Sequence, residues 1–148
     1  MNRVLFLCSG NYYRSRMAEE YFNHCADLNN MSWRADSMAL LTDLENTGNE
    51  GPICADAIAQ LTANGIPIHS PSRMPKPLIH QEILNFSRFI SMSKAEHKPM
   101  VDQKWPGTFP YMEYWEIGDI GTDAPEDAFL KICQGVEQLI HELLQENC

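Results

Sequence analysis

Residues 3–8 begin with an unbroken apolar run, Val4-Leu5-Phe6-Leu7. Such a run suits a parallel strand buried on both faces better than a strand with one wet side. A short polar stretch follows, and from residue 15 to 25 the apolar positions Met17, Ala18, Tyr21, Phe22 and Cys25 recur at helical spacing. Residues 33–37 predict a second short strand. Residues 52–64 predict a helix, with proline in its first turn, Gly65 as its stop, and Ile53, Ala57, Ile58 and Leu61 as its buried stripe.

Residues 86–92 and 113–117 read as two further strands. In the last segment Asp123-x-x-Glu126 forms a capping box, and Phe129, Ile132, Cys133, Val136, Leu139, Ile140, Leu143 and Leu144 fall on one helical face. Residues 69–77 (with Pro67 just before) and 98–111 (with Pro99, Pro106 and Pro110) predict irregular connections. The order β-α-β-α-β-β-α predicts an α/β fold, a three-layer sandwich. Its four or five mostly parallel strands carry helices on both faces, and a phosphate loop follows the first strand. With no repeat or low-complexity tract, residues 1–148 read as one domain.

Composition narrows the classes. A net charge of -9 argues against nucleic acid, whose phosphates need clustered lysine and arginine, but not against one small anion site. No apolar run approaches the roughly 20 residues of a membrane span, and the opening run is too short for a signal-peptide core, so a cytoplasmic protein is expected. Five cysteines, Cys8, Cys25, Cys54, Cys133 and Cys148, show neither C-x-x-C nor zinc-ligand spacing, so neither a disulfide framework nor a metal or other cofactor is expected.

The chemistry concentrates after the first strand, in Cys8-Ser9-Gly10-Asn11-Tyr12-Tyr13-Arg14-Ser15. A cysteine and an arginine separated by five residues form a weak pattern alone. Here Cys8 ends a buried strand and Arg14 opens a helix, so the loop between them can curl around an anion. Its N–H groups and the positive end of the helix dipole would favour the thiolate form of Cys8, the nucleophilic one. Arg14 can grip two phosphoryl oxygens, Gly10 permits a turn at positive φ, and the Asn11 side chain can bond the loop's own backbone to keep it rigid. Ser15 can donate to the Cys8 sulfur when it acts as leaving group. The plainer reading of Cys8 is a buried core thiol at a strand end.

The run from Val4 to Glu19 resembles the opening of the low-molecular-weight protein tyrosine phosphatases. Trp33-Arg34-Ala35-Asp36-Ser37, Gly65-Ile66-Pro67-Ile68 and residues 86–92 fall in that family's order. The resemblance implies a phosphate-ester hydrolase with a phospho-cysteine intermediate, acting on a phosphorylated protein or a small aryl phosphate. It implies Ser9, Gly10, Asn11, Tyr12, Tyr13, Arg14 and Ser15 as the substrate loop, and Ser37 beside Asn11 and Ser15 as its support. It also implies Asp119 as general acid, with Asp123 the local rival and the more natural helix cap.

The chain departs from the family pattern in several places. Ile120 follows Asp119 where proline is usual, and Ile120-Gly121 replaces the aromatic pair that walls the cleft. Asp43 stands at the other wall position, leaving Tyr12 and Tyr13 as replacement aromatic surface. Tyr13 also takes the place of a second cysteine that could protect an oxidised nucleophile, and Met92-Ser93 replaces Met-Asp. Two other functions compete: arsenate reduction on the same fold, which needs a cysteine relay that residues 90–94 lack, and phosphate binding without turnover.

Overall fold

The computed structural model describes residues 2–146. Its sheet has four strands, β1 (Arg3–Cys8), β2 (Arg34–Ala39), β3 (Arg88–Ser91) and β4 (Glu113–Tyr114). They lie in the order β2-β1-β3-β4, every pairing parallel. No fifth strand joins them among the described residues; the nearest feature is an isolated bridge between Ala39 and Pro77.

Strand β1 lies at the centre, and its alternating side chains divide the interior into two cores. Val4, Phe6 and Cys8 face one core with α1 (Arg14–Leu28), α2 (Ala55–Ala63) and α5 (Pro125–Glu146). Leu5 and Leu7 face the other, which is filled from the side of α3 (His80–Ile83) and α4 (Lys94–Lys104) by Ile83, Val101 and Trp105. Helices therefore cover both faces, which is why β1 has no polar position between Val4 and Leu7.

Several expectations need correction. The segment 98–111 is not irregular throughout: α4 runs through Pro99 as far as Lys104. A proline inside a helix costs about 3 kcal/mol, and here burial of His97, Val101 and Trp105 offsets it. The expected capping box of α5 is not used. Asp123 turns its carboxylate back to Gly118 N–H and Lys131, each at 2.8 Å, and the helix begins at Pro125. Helix α2 starts at Ala55, three residues after Pro52, while Ile58 and Leu144 of the expected stripes are 39% and 38% exposed.

Trp115, just beyond β4, wedges between the sheet and α5. Its ring lies 5.6 Å from that of Phe6, and its Nε1 donates to Glu113 at 2.7 Å. A Cβ on Gly135 would meet this ring at 2.9 Å. Alanine normally improves a helix interior over glycine by about 1 kcal/mol, but overpacking costs about 1–3 kcal/mol. Gly135→Ala is therefore expected to lower stability in urea denaturation; a gain would show that Trp115 yields freely.

Candidate active site

The chain leaves β1 at Cys8 and must enter α1 at Arg14 with both ends of the turn buried. Cys8 is 3% exposed and Arg14 2%. Four of the loop carbonyls are bonded outward: Cys8 O accepts Leu40 N–H, Ser9 O accepts Leu41 N–H, Tyr12 O accepts Cys54 N–H and Tyr13 O accepts Met17 N–H, at 2.9–3.1 Å. Among the described residues no hydrogen bond uses the N–H groups of Gly10, Asn11, Tyr12 or Tyr13. With these four carbonyls engaged elsewhere and its N–H groups unused, the loop has the polarity of an anion cradle.

Asn11 holds the turn. It takes the left-handed conformation, φ 52°, that sequence reasoning had assigned to Gly10. Gly10 instead provides room, since a Cβ there would approach Asn49 Nδ2 at 3.2 Å. The Asn11 amide donates to Ser15 Oγ (2.9 Å) and Ser37 Oγ (2.8 Å), while its Oδ1 accepts Arg73 Nη1 and Lys76 N–H, both at 3.0 Å. Two donors and two acceptor positions exhaust what a carboxamide can offer. Ser37 Oγ in turn donates to Glu19 at 2.5 Å and accepts Arg73 Nη2, which also pairs with Glu19 at 2.7 Å. Burial raises the Glu19 carboxyl above its ordinary range, against the pull of Arg73. Arg16, fully buried, donates to the carbonyls of Pro52, Ser70 and Arg73, so it fixes the path that brings Arg73 to Asn11.

Ser15 Oγ lies 3.0 Å from Cys8 Sγ. That oxygen also accepts from Asn11, and toward a Cys8 thiolate, which can only accept, the hydroxyl is the donor. Cys8 opens on a cavity of about 300 Å³, lined by Gly10, Tyr12, Tyr13, Arg14, Asn49, Asp119 and Ile120. Asp119 stands on the rim, half exposed, with Oδ2 3.5 Å from Arg14 Nη2. Its rival Asp123 is committed to Gly118 and Lys131. Tyr13 is 3% exposed and packs in the core, and burial pushes its hydroxyl up to about 12. Tyr12 is partly exposed, its hydroxyl donating to Glu50 O at 2.5 Å. Both tyrosines line the cavity, and Tyr12 is the more exposed of the two.

Sequence reasoning missed the partners of Arg14. Glu96, in the first turn of α4, meets it end-on: Nη1 donates to Oε2 at 2.9 Å and Nη2 to Oε1 at 2.8 Å. Arg14 holds the Glu96 carboxyl down at about 2, and Ser9, which donates to Oε1 at 2.7 Å, adds to the effect. Ser93, unexplained in the sequence, caps α4 by accepting Glu96 N–H at 3.3 Å. The spacing Ser93-x-x-Glu96 was an available helix-start signal, obscured by Pro99. His97 is fully buried beneath the loop; its Nδ1 accepts Ser93 N–H, which leaves the proton on Nε2, 3.1 Å from Ser9 Oγ.

Comparison with known proteins agrees with this fold. The family profile described as low molecular weight phosphotyrosine protein phosphatase matches residues 3–147, and the chain belongs to that family. No curated protein sequence matches it significantly. The solved structure of YfkJ from Bacillus subtilis is similar over 100% of this chain and 98% of its own, with TM-score 0.82 at 21% identity. A low molecular weight protein tyrosine phosphatase from T. tengcongensis is similar over 96% and 99%, with TM-score 0.77 at 22% identity. The thioredoxin-dependent arsenate reductase Cg_ArsC1' of Corynebacterium glutamicum shares the fold too, over 97% of this chain and 62% of its own, with TM-score 0.70 at 21% identity.

Two outcomes are expected. Asn11→Gly keeps access to the left-handed backbone while Asn11→Ala loses it, so the alanine variant should be the less stable by about 1 kcal/mol in urea denaturation; equal stabilities would mean that the turn is not strained. Burial first, and Arg14 second, push the His97 imidazole down to about 4. The folded protein then binds fewer protons than the unfolded chain between that value and the ordinary 6.5, so His97 makes stability rise with pH across this window. An NMR titration should find its ring neutral at pH 5, protonated on Nε2.

Proposed function

We propose that this chain hydrolyses phosphate monoesters, phosphotyrosine in proteins above all, through a phospho-cysteine intermediate. Membership of a cysteine-based phosphatase family supports the reaction class. The observation that carries the assignment to these atoms is the convergence of Cys8, Arg14 and Asp119 on one cavity, with the buried Ser15 hydroxyl against the sulfur. Cys8 attacks phosphorus as a thiolate and expels the ester oxygen. The loop N–H groups and Arg14 hold the three remaining phosphoryl oxygens in the transition state. Asp119 protonates the departing phenolate, and its carboxylate then activates the water that attacks phosphorus. The second step releases Cys8 as a thiolate, which the Ser15 hydroxyl stabilises.

Ser9, Gly10, Asn11, Tyr12 and Tyr13 contribute through their backbone, and Ser37 contributes through Asn11. The substrate is a phosphorylated protein or a small aryl phosphate, and the expected setting is the cytoplasm. Among the described residues no helix is long and apolar enough to cross a membrane. Arsenate reduction is the less favoured reading. The strand end at Ser91-Met92-Ser93 has no cysteine, and Cys25 and Cys54 are buried.

The protein is expected to hydrolyse p-nitrophenyl phosphate without added metal, and vanadate should inhibit it. Cys8→Ser should abolish turnover, and Asp119→Asn should lower kcat by roughly 10²–10⁴-fold. Full activity in the Cys8→Ser protein would refute the mechanism. Thioredoxin-coupled turnover of arsenate in the absence of phosphatase activity would favour the alternative.

A further inference from the structure

Arg14 presents its donors unequally. The Nη1–Nη2 end is occupied by the Glu96 carboxylate, and Nη1 also donates to Ile117 O at 3.0 Å. Among the described residues the Nε–Nη2 edge carries only the looser approach of Asp119, at 3.5 Å from Nη2. A guanidinium offers two adjacent forks that share one nitrogen but use different N–H groups, and a phosphoryl group needs one fork. Glu96 therefore leaves the N–H groups of the substrate's edge free and takes the neighbouring one.

Glu96 is itself held. Ser9 Oγ donates to Oε1, and Ser9 accepts from His97 Nε2, whose Nδ1 is anchored by the Ser93 backbone. The chain runs from the buried base of α4, through the phosphate loop, to the carboxylate that grips Arg14. It links the end of β3 to the cradle through side chains on different elements, and every proton in it has one direction. On the phosphatase reading given above, we propose that Glu96, locked by Ser9 and His97, is a positioning residue that fixes Arg14 with its Nε–Nη2 edge turned to the phosphoryl group. A carboxylate this close also reduces the positive potential at the site. That makes the sign of its effect decisive: a clamp helps anion binding, whereas a mere counter-charge hinders it.

The test compares wild type with Glu96→Gln, Glu96→Asp and Ser9→Ala, measuring kcat and KM on p-nitrophenyl phosphate and the affinity for vanadate. Glutamine keeps the shape of Glu96 but turns an N–H donor toward the guanidinium. It should lower kcat more than it raises KM, on the order of 10²-fold, the scale of a misplaced catalytic group, and it should weaken vanadate binding. Glu96→Asp, which keeps the charge but not the reach, should fall between wild type and glutamine. Ser9→Ala should shift the same parameters in the same direction by a smaller factor.

Unchanged kcat in Glu96→Gln, or tighter vanadate binding, would overturn the proposal. If the glutamine variant fails to fold, Ser9→Ala decides, because it leaves both Glu96–Arg14 contacts in place; unchanged kinetics there would overturn the relay. If wild type hydrolyses nothing, the phosphatase reading falls. The vanadate comparison alone then tests whether Glu96 orients Arg14 toward an anion.

Discussion

The site depends on one side chain saturated with hydrogen bonds. Asn11 sits at φ 52°, a conformation disfavoured for most residues, and four bonds hold it there. They reach helix α1 through Ser15, strand β2 through Ser37, and the segment after residue 70 through Arg73 and Lys76. A five-residue loop between a buried strand and a buried helix cannot curl with its N–H groups inward unless something fills the centre of the curl. The Asn11 amide does so from behind, leaving the front to the anion. Ser15, fixed by the Asn11 amide, keeps its hydroxyl 3.0 Å from Cys8, where it can donate to the thiolate.

A chain with net charge -9 must still build a local well for an anion. Three of its arginines converge on this loop, each with a separate task. Arg14 faces the cavity, Arg73 ties Asn11 to Ser37 and Glu19, and Arg16 pins the carbonyls of residues 52, 70 and 73. Arg14 and Arg73 are paired with carboxylates and Arg16 is bonded to carbonyls, as the cost of burying an isolated ion demands. Glu19 and Glu96 are accordingly part of the anion site's construction although they carry the same sign as its ligand.

The sequence was most legible where local pattern and tertiary role coincide. The apolar run before Cys8, the helical spacing from Met17 onward, and the stripe from Phe129 to Leu143 each fix an element by its own residues. Asn11 and Ser15 were readable from the loop itself, and Ser37 from the resemblance. Glu96 was not. Pro99 argued for a break, but the packing of Val101 and Trp105 against the second core, the buried His97 and the Ser93 cap support α4 through it. Arg73 was hidden differently, since its reach to Asn11 depends on a loop path set by Arg16, 57 residues away in sequence. Assigning the positive φ to Gly10 failed because the bonds of Asn11 outweigh the steric freedom of glycine.

On this mechanism phosphorus becomes bonded to Cys8 during turnover. This is tested by acid quenching of the enzyme during steady-state hydrolysis of p-nitrophenyl phosphate, whose leaving group needs little protonation, followed by mass spectrometry of its peptides. A phosphoryl adduct is expected on the peptide bearing Cys8. Continued hydrolysis with the adduct on another residue would contradict it.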